Sequence, residues 1–285
     1  MKFKNQSLQD VVDYYDKTTF DYKYLWANKE NLAMHFGHYD QNVAKHALAL
    51  SNTNNVISKE VNIQSGEKIL DAGSGMGGSC FWLAKNLDVQ VTGITLSEKQ
   101  VDFCNKKAAK LQLNHKVDFQ YADFCNTPFE DETFDVVWAC ESFCHAFKGA
   151  DFYKEAFRIL KPKGRIIIAD YIKTAEKVNF EEEKLISEWF SGWAMSTFLT
   201  QKEHLEIATS VGFQETKVKN YTSSVKVSTR NVHHRAAFYL RFGKLLTFLK
   251  LRSETELKHQ IACIKQYEAL EKNLWFYGIV SAEKP

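Results

Sequence analysis

The sequence predicts an α/β protein built on a parallel sheet with helices on both faces, and three observations predict it. Between Glu67 and Tyr171 short apolar runs alternate with helix-patterned stretches, the order that a parallel sheet with crossover helices produces. A glycine loop follows the first apolar run, in "KILDAGSGMGGSCFWLA" at 68–84, where a strand would give way to a helix. The chain has 285 residues and is 45% hydrophobic, enough for one large core or a core with an elaborated cap, and too regular for disorder.

Taken in order, "KILDA" reads as the first strand, followed by a helix through Trp82. "VQVTGIT" is the second strand, with a helix around Val101 to Leu111 after it. "VDFQYA" and "FDVVWAC" are the next two strands, and Asp151 to Leu160 has helical spacing. The turn "KPKG" at 161–164 should stop that helix and open the strand "GRIIIADY". Beyond Tyr171 the pattern is mostly helical. "GFQETKVKNY" at 212–221 then reads as a strand, a long helical segment runs from about Arg230 to Lys272, and "LWFYGIVSAEK" closes the chain as a last strand.

Charge and composition narrow the function. Lys and Arg number 37 against 35 Asp and Glu, a net charge of +2 read as scattered along the chain, so nucleic acid is not an expected partner. No apolar run reaches the roughly 20 residues of a membrane span, and the polar start "MKFKNQSLQD" is unlike a signal peptide. A cytoplasmic protein without stable membrane insertion is expected. The six cysteines, Cys80, Cys104, Cys125, Cys140, Cys144 and Cys263, form no C-x-x-C pair, so neither a metal site nor disulfides are expected.

Gly73, Gly75 and Gly78 fit the spacing G-x-G-x-x-G of a dinucleotide loop. Two neighbours argue against a pyrophosphate. Asp71 puts a carboxylate where a helix N-terminus would attract an anion, and it suits a cationic or zwitterionic ligand better. The second strand ends in Thr95, Leu96 and Ser97, where a nicotinamide enzyme would usually present an acid to the ribose.

"LDAGSGMGGS" and "VTGITLSEKQV" resemble the S-adenosylmethionine-binding core of the tocopherol, sterol C-methyl and cyclopropane-forming methyltransferases. "FDVVWACESFCHAF", "EAFRILKPKGRIIIADY" and the N-terminal "YYDKTT" and "HFGHYD" extend the likeness from about Val12 to Tyr171. The resemblance implies a Rossmann-like, doubly wound, seven-stranded class I methyltransferase fold whose last strand is antiparallel. It also implies a helical lid at 1–62, a cofactor-binding core at 63–222, a helical cap at 223–273 and a final core strand at 274–285.

Carried over to this chain, the resemblance places Asp71, Gly73 and Gly75 on the methionine and ribose side of S-adenosylmethionine. Thr95, Leu96 and Gln100 would contact the adenosine, Asp123 its amino group, and Phe124 and Cys140 would complete the wall. Tyr14 and Tyr15 would close over the cofactor, with Tyr15 touching it. His145 is the candidate general base and Glu141 a second catalytic candidate, both in the loop after the fourth strand. Cys144 stands where the cyclopropane branch has a glutamate, which argues against cyclopropanation. His35, Phe36 and His38 would approach the acceptor pocket, whereas Tyr24 and Trp26 read as core.

In "RAAFYLRFGKLLTFLKLR", Phe238, Phe242, Leu245, Leu246 and Leu249 have helical spacing, with Arg241, Lys244 and Lys250 toward the other side. The expected packing is onto the active-site mouth, with Phe242 in the acceptor pocket; lying on a membrane is the alternative. "TRNVHHR" reads as a solvated loop, with a site for an acidic group such as a diphosphate as the alternative. The expected activity is transfer of a methyl group from S-adenosylmethionine to a small lipophilic, isoprenoid-like acceptor at carbon or oxygen, leaving S-adenosylhomocysteine. Methylation of an amine, a nicotinamide oxidoreductase and a binding protein without catalysis are the competing readings, and homo-oligomerisation is left open.

Overall fold

Among the described residues, the helices α1 (Leu8–Asp21) and α2 (His46–Glu60) precede the sheet. The computed structural model describes residues 7–21, 31–175 and 177–285, without the side chains of residues 19–21, so Tyr24 and Trp26 lie outside the described residues. The alternation then unfolds as β1 (Lys68–Ala72), α3 (Gly78–Asn86), β2 (Gln90–Thr95), α4 (Glu98–Lys110), β3 (Val117–Tyr121), β4 (Phe134–Cys140), α5 (Gly149–Ile159) and β5 (Leu160–Lys173). The second half contains α6 (Phe180–Gly192), α7 (Gln201–Val211), β6 (Gln214–Asn220), α8 (Thr222–Phe248), α9 (Glu254–Glu271) and β7 (Trp275–Glu283).

The strands form one sheet in the order β3-β2-β1-β4-β5-β7-β6. All pairs from β3 to β5 are parallel, and β7 enters antiparallel between β5 and β6. From β1 the order grows one way through β2 and the other way through β4. Loops leaving the carboxyl ends of β1 and β4 therefore diverge and leave a crevice at this switch point. Ile69 and Leu70 are successive residues of β1 yet join different apolar clusters, as alternation across a pleated strand demands. Both faces are covered, which is why "VVWA" in β4 is uniformly buried.

"KPKG" does end α5, but it is no free turn. Phe134 pairs with Leu160 and Val136 with Arg165, so residues 161–164 bulge from the ladder, with Lys163 at φ 65°. The long helical segment expected from Arg230 to Lys272 divides in two. α8 begins earlier, at Thr222, and ends near Leu249; Lys250 takes φ 57°, and Ser253 with Glu256 forms a capping box that starts α9.

α1 is pinned over the switch point. Tyr14 Oη lies 2.7 Å from His259 Nδ1 on α9, Asp16 Oδ1 accepts from Ser97 Oγ at 3.0 Å, and Asp16 Oδ2 meets Lys99 Nζ at 2.5 Å. The segment after residue 30 presses on the start of α3, where a Cβ on Gly78 would stand 2.7 Å from Asn31 O.

Candidate active site

The glycine loop makes the floor of the crevice. Gly73, Gly75 and Gly77 have φ of 91°, 52° and 79°, left-handed values that favour glycine. A Cβ on Gly73 would lie 2.5 Å from Ser142 Cβ, because Ser142 Oγ donates to Ala72 O and ties the β4 loop onto the β1 loop. α3 starts directly behind this turn, so its first amides open toward the crevice.

A cavity of about 240 Å³ fills the crevice. Tyr15, Asp71, Gly73, Gly75, Thr95, Leu96, Gln100, Asp123, Phe124 and Cys140 all line it, as do Glu141, His145 and His35. The two ends of β1 and β2 supply complementary chemistry. Asp71 is buried, accepts from Cys80 Sγ at 3.1 Å, and is pushed up to about 7 by burial, so a cation beside it would restore its charge. Thr95 Oγ1 donates to Gln100 Oε1 at 2.6 Å, and Ser97 Oγ caps α4 by accepting from Gln100 N. Asp123 accepts from Cys125 N at 2.8 Å, so it shapes its own turn as well as facing the cavity.

The opposite wall carries the titratable groups. His145 sits in a 3₁₀ turn, Phe143–His145, whose entry is fixed by Asp170 Oδ2 accepting from Cys144 N at 2.9 Å. Its Nδ1 is 2.9 Å from Ala194 O, an atom that only accepts, so Nδ1 bears the proton. Burial lowers His145 to about 4; the ring is neutral, and Nε2 accepts from Tyr15 Oη at 2.7 Å.

Glu141 has φ 51°, a costly backbone conformation for a residue with a Cβ, and is held there by its amide donating to Ala169 O at 2.8 Å. Its Oε1 accepts from Phe36 N at 2.7 Å and Tyr277 Oη at 3.1 Å, and its Oε2 from Tyr171 Oη at 2.9 Å. Burial, with Asp170 adding to it, raises Glu141 to about 8 despite these donors. Beside it a small recess of about 20 Å³, room for about one water molecule, is lined by Tyr15, Met34, Glu141, Cys144, His145, Tyr171, Trp193 and Met195.

Three expected acceptor contacts lie elsewhere. Phe36 is fully buried edge-on to Tyr171 and Tyr277, so it is a core residue whose amide anchors Glu141. His38 is buried against Tyr221, with its amide donating to Thr53 Oγ1 at 2.9 Å. Phe242 is 58% exposed on α8 and borders neither cavity. Tyr14 likewise turns away from the crevice to His259. The stretch "TRNVHHR" at 229–235 is α8 helix rather than a loop. Sequence reasoning missed Tyr171, Tyr277, Asp170 and Trp193. Only the acid and tyrosine at the end of "IIIADY" were a local signal, since strand ends in a parallel sheet gather at one edge.

Residues 70–168, from β1 into β5, match the family described as methyltransferase domain. The strand order in which this match lies is that of the class I methyltransferase fold. The chain is 35% identical over 159 residues to 27-O-demethylrifamycin SV methyltransferase of Amycolatopsis mediterranei, covering 56% of this chain and 57% of the relative. The chain thus spans little more than half the length of that relative. It is 26% identical over 295 residues to the chloroplastic tocopherol O-methyltransferase of Arabidopsis thaliana, covering 96% and 82% of the two chains. Its fold matches the cyclopropane synthase MmaA2 of Mycobacterium tuberculosis with a TM-score of 0.82 at 17% identity, over 98% of this chain and 99% of that one.

Proposed function

We propose that this protein transfers a methyl group from S-adenosylmethionine to a small lipophilic, isoprenoid-like acceptor, at carbon or oxygen. One observation carries the reading: every residue expected to contact the cofactor borders one cavity, and His145 and Glu141 close its far side beside an aromatic recess. The residues fit the cofactor. The glycine turn leaves no space for side chains, Asp71 offers a buried acid to an ammonium or sulfonium, and Thr95, Gln100 and Asp123 supply hydrogen-bonding groups around the rest. When bound, S-adenosylmethionine supplies an activated methyl group on a sulfonium, so the chain's own contribution is positioning, water exclusion and proton removal.

Proton removal falls to the Tyr15–His145 pair. His145 is neutral with its Nε2 lone pair on the Tyr15 hydroxyl, so Tyr15 can take a proton from the acceptor while passing its own to Nε2. Glu141 has both oxygens committed to Phe36, Tyr171 and Tyr277, and it acts as a positioning residue that fixes the aromatic wall. Tyr171, Trp193 and Met195 give that wall an apolar, electron-rich surface suited to an alkene or arene. The recess is too small for such an acceptor with α1 latched, and outward movement of α1, which contributes Tyr15 to its lining, would enlarge it.

The likeness to a 27-O-demethylrifamycin SV methyltransferase and to a tocopherol O-methyltransferase supports a lipophilic acceptor with a hydroxyl group. The test is transfer of labelled methyl to a panel of prenylated phenols, sterols, isoprenoid alkenes and small amines. Turnover on the first three classes is expected. Transfer to an amine alone overturns the acceptor class, and no thermal shift with S-adenosylhomocysteine overturns the cofactor.

A further inference from the structure

The net charge of +2 conceals an uneven distribution. Residues 222–253, which make up α8 and the turn to α9, contain Lys226, Arg230, Arg235, Arg241, Lys244, Lys250 and Arg252, and no Asp or Glu. Of 37 basic residues 30 remain for the rest of the chain, against all 35 acids, so the remainder is net acidic. Residues 222–253 thus carry a net charge of +7 and the rest of the chain −5.

The same helix is amphipathic in a way that the fold does not use. Its buried side meets α9: Gln260 Nε2 donates to Ala236 O at 2.9 Å, Gln266 Nε2 to Thr229 O at 3.2 Å, and a Cβ on Gly243 would stand 2.2 Å from Gln260 Oε1. Away from that contact Phe238, Phe242, Leu245 and Leu249 follow at spacings that make one stripe of a helix. They are 79%, 58%, 52% and 52% exposed, and Phe248 and Leu251 extend the patch at 83% and 74%. A contiguous apolar row of this kind marks an interaction surface. Among the described residues no carboxylate pairs with Arg230, Arg241, Lys244 or Lys250, whereas Lys226 meets Glu271 at 2.8 Å and Arg252 Glu256 at 3.9 Å.

We propose that the C-terminal half of α8 docks the protein on the surface of an anionic lipid bilayer. The Phe and Leu side chains enter the boundary between headgroups and acyl chains, and Arg241, Lys244 and Lys250 lie among the phosphates. Charge complementarity selects this occupant. A second copy packed across the same face would set its own unpaired cations against their equivalents, which a self-complementary contact cannot neutralise. No described helix is long and apolar enough to cross a membrane, so the contact is one of surface docking.

The test is flotation of the full chain with phosphatidylcholine vesicles, with and without phosphatidylglycerol, across a salt series. Binding is expected only with phosphatidylglycerol, and it should weaken as salt rises. Arg241→Gln and Lys244→Gln should each weaken it about fivefold, and the combined Phe238→Ser, Leu245→Ser and Phe248→Ser variant should abolish it. Circular dichroism and melting temperature of each variant separate loss of docking from loss of fold. Failure to float with anionic vesicles, or flotation unchanged in folded variants, overturns the proposal. So does light scattering that shows a dimer which the serine variant converts to a monomer.

Discussion

Tyr15 Oη lies 2.7 Å from His145 Nε2, across 130 residues of chain, and this bond joins the lid helix to the strand-end turn that carries the candidate base. The ring has no freedom to choose its tautomer, because Nδ1 is spent on Ala194 O. The histidine is therefore presented to the lid as an acceptor.

His145→Ala should lower kcat by roughly 10²- to 10⁴-fold, the range for loss of a general base, with the dissociation constant of S-adenosylhomocysteine changed by no more than about threefold. Tyr15→Phe should lower kcat comparably, and the double variant should lose little more than either, as expected of residues acting as a unit. Calorimetric loss of cofactor affinity in proportion to activity would reassign His145 as a cofactor ligand. Full turnover in His145→Ala would make the ring structural.

Stability of the free protein should peak near pH 6 and fall toward pH 8. His35 and His145 are lowered by burial to about 4, and His204 and His259 to about 3, so in acid the unfolded chain binds protons that the folded one refuses. These histidines contribute stability that is lost as pH falls below the usual value near 6.5. Asp71 and Asp170 at about 7 and Glu141 at about 8 have the opposite sign. They stay protonated when folded while the unfolded chain has lost its protons, so stability falls as pH rises from the ordinary carboxylate range to about 8. Melting curves of Glu141→Gln should show a flatter alkaline limb; an unchanged limb would mean that Glu141 is already ionised in the fold.

Glu141→Ala should be far more damaging than Glu141→Gln. Alanine strands the Phe36 amide and the hydroxyls of Tyr171 and Tyr277, at about 1–3 kcal/mol for each group left unpaired. Glutamine can keep the carbonyl for Phe36 and Tyr277 and donate its amide to Tyr171. Denaturant midpoints of the two variants measure the difference, and equal midpoints would mean that water replaces the carboxylate.

Gly75→Val should abolish the thermal shift given by S-adenosylhomocysteine. The position has φ 52°, and its Cβ would stand 2.9 Å from Met34 Sδ on the cavity wall, so the branched side chain distorts the turn and enters the cavity. The fold should survive, because Met34 is flexible. A folded variant with undiminished affinity would remove the glycine turn from the cofactor site.

Isothermal calorimetry should detect no tight binding of NAD. Asp71 opposes a pyrophosphate at the helix start, and β2 ends in Thr95, with Leu96 and Ser97 after it, in place of an acid for the ribose. Submicromolar affinity would restore the oxidoreductase reading.

The sequence by itself determined the order of strands and helices and the glycine turn. Helical and strand periodicities are local properties, and short motifs at 71–75, 95–100, 123–124 and 140–145 all follow strands of one parallel sheet, whose carboxyl ends share an edge. Their convergence on one cavity follows from topology without knowledge of side-chain packing. Tertiary structure alone decided where each amphipathic or aromatic stretch turned its faces. Nothing local to "HFGHYD" distinguishes an acceptor contact from a core ring, and Phe36 became core because Tyr171 and Tyr277 arrive from β5 and β7. The division of the long helical segment was legible in the S-x-x-E at 253–256, a capping signal between two equally helical patterns. The outward row on α8 was legible as a stripe, but its exposure was not, since a stripe is covered only if another element is left over to cover it, and α9 packs against the other side.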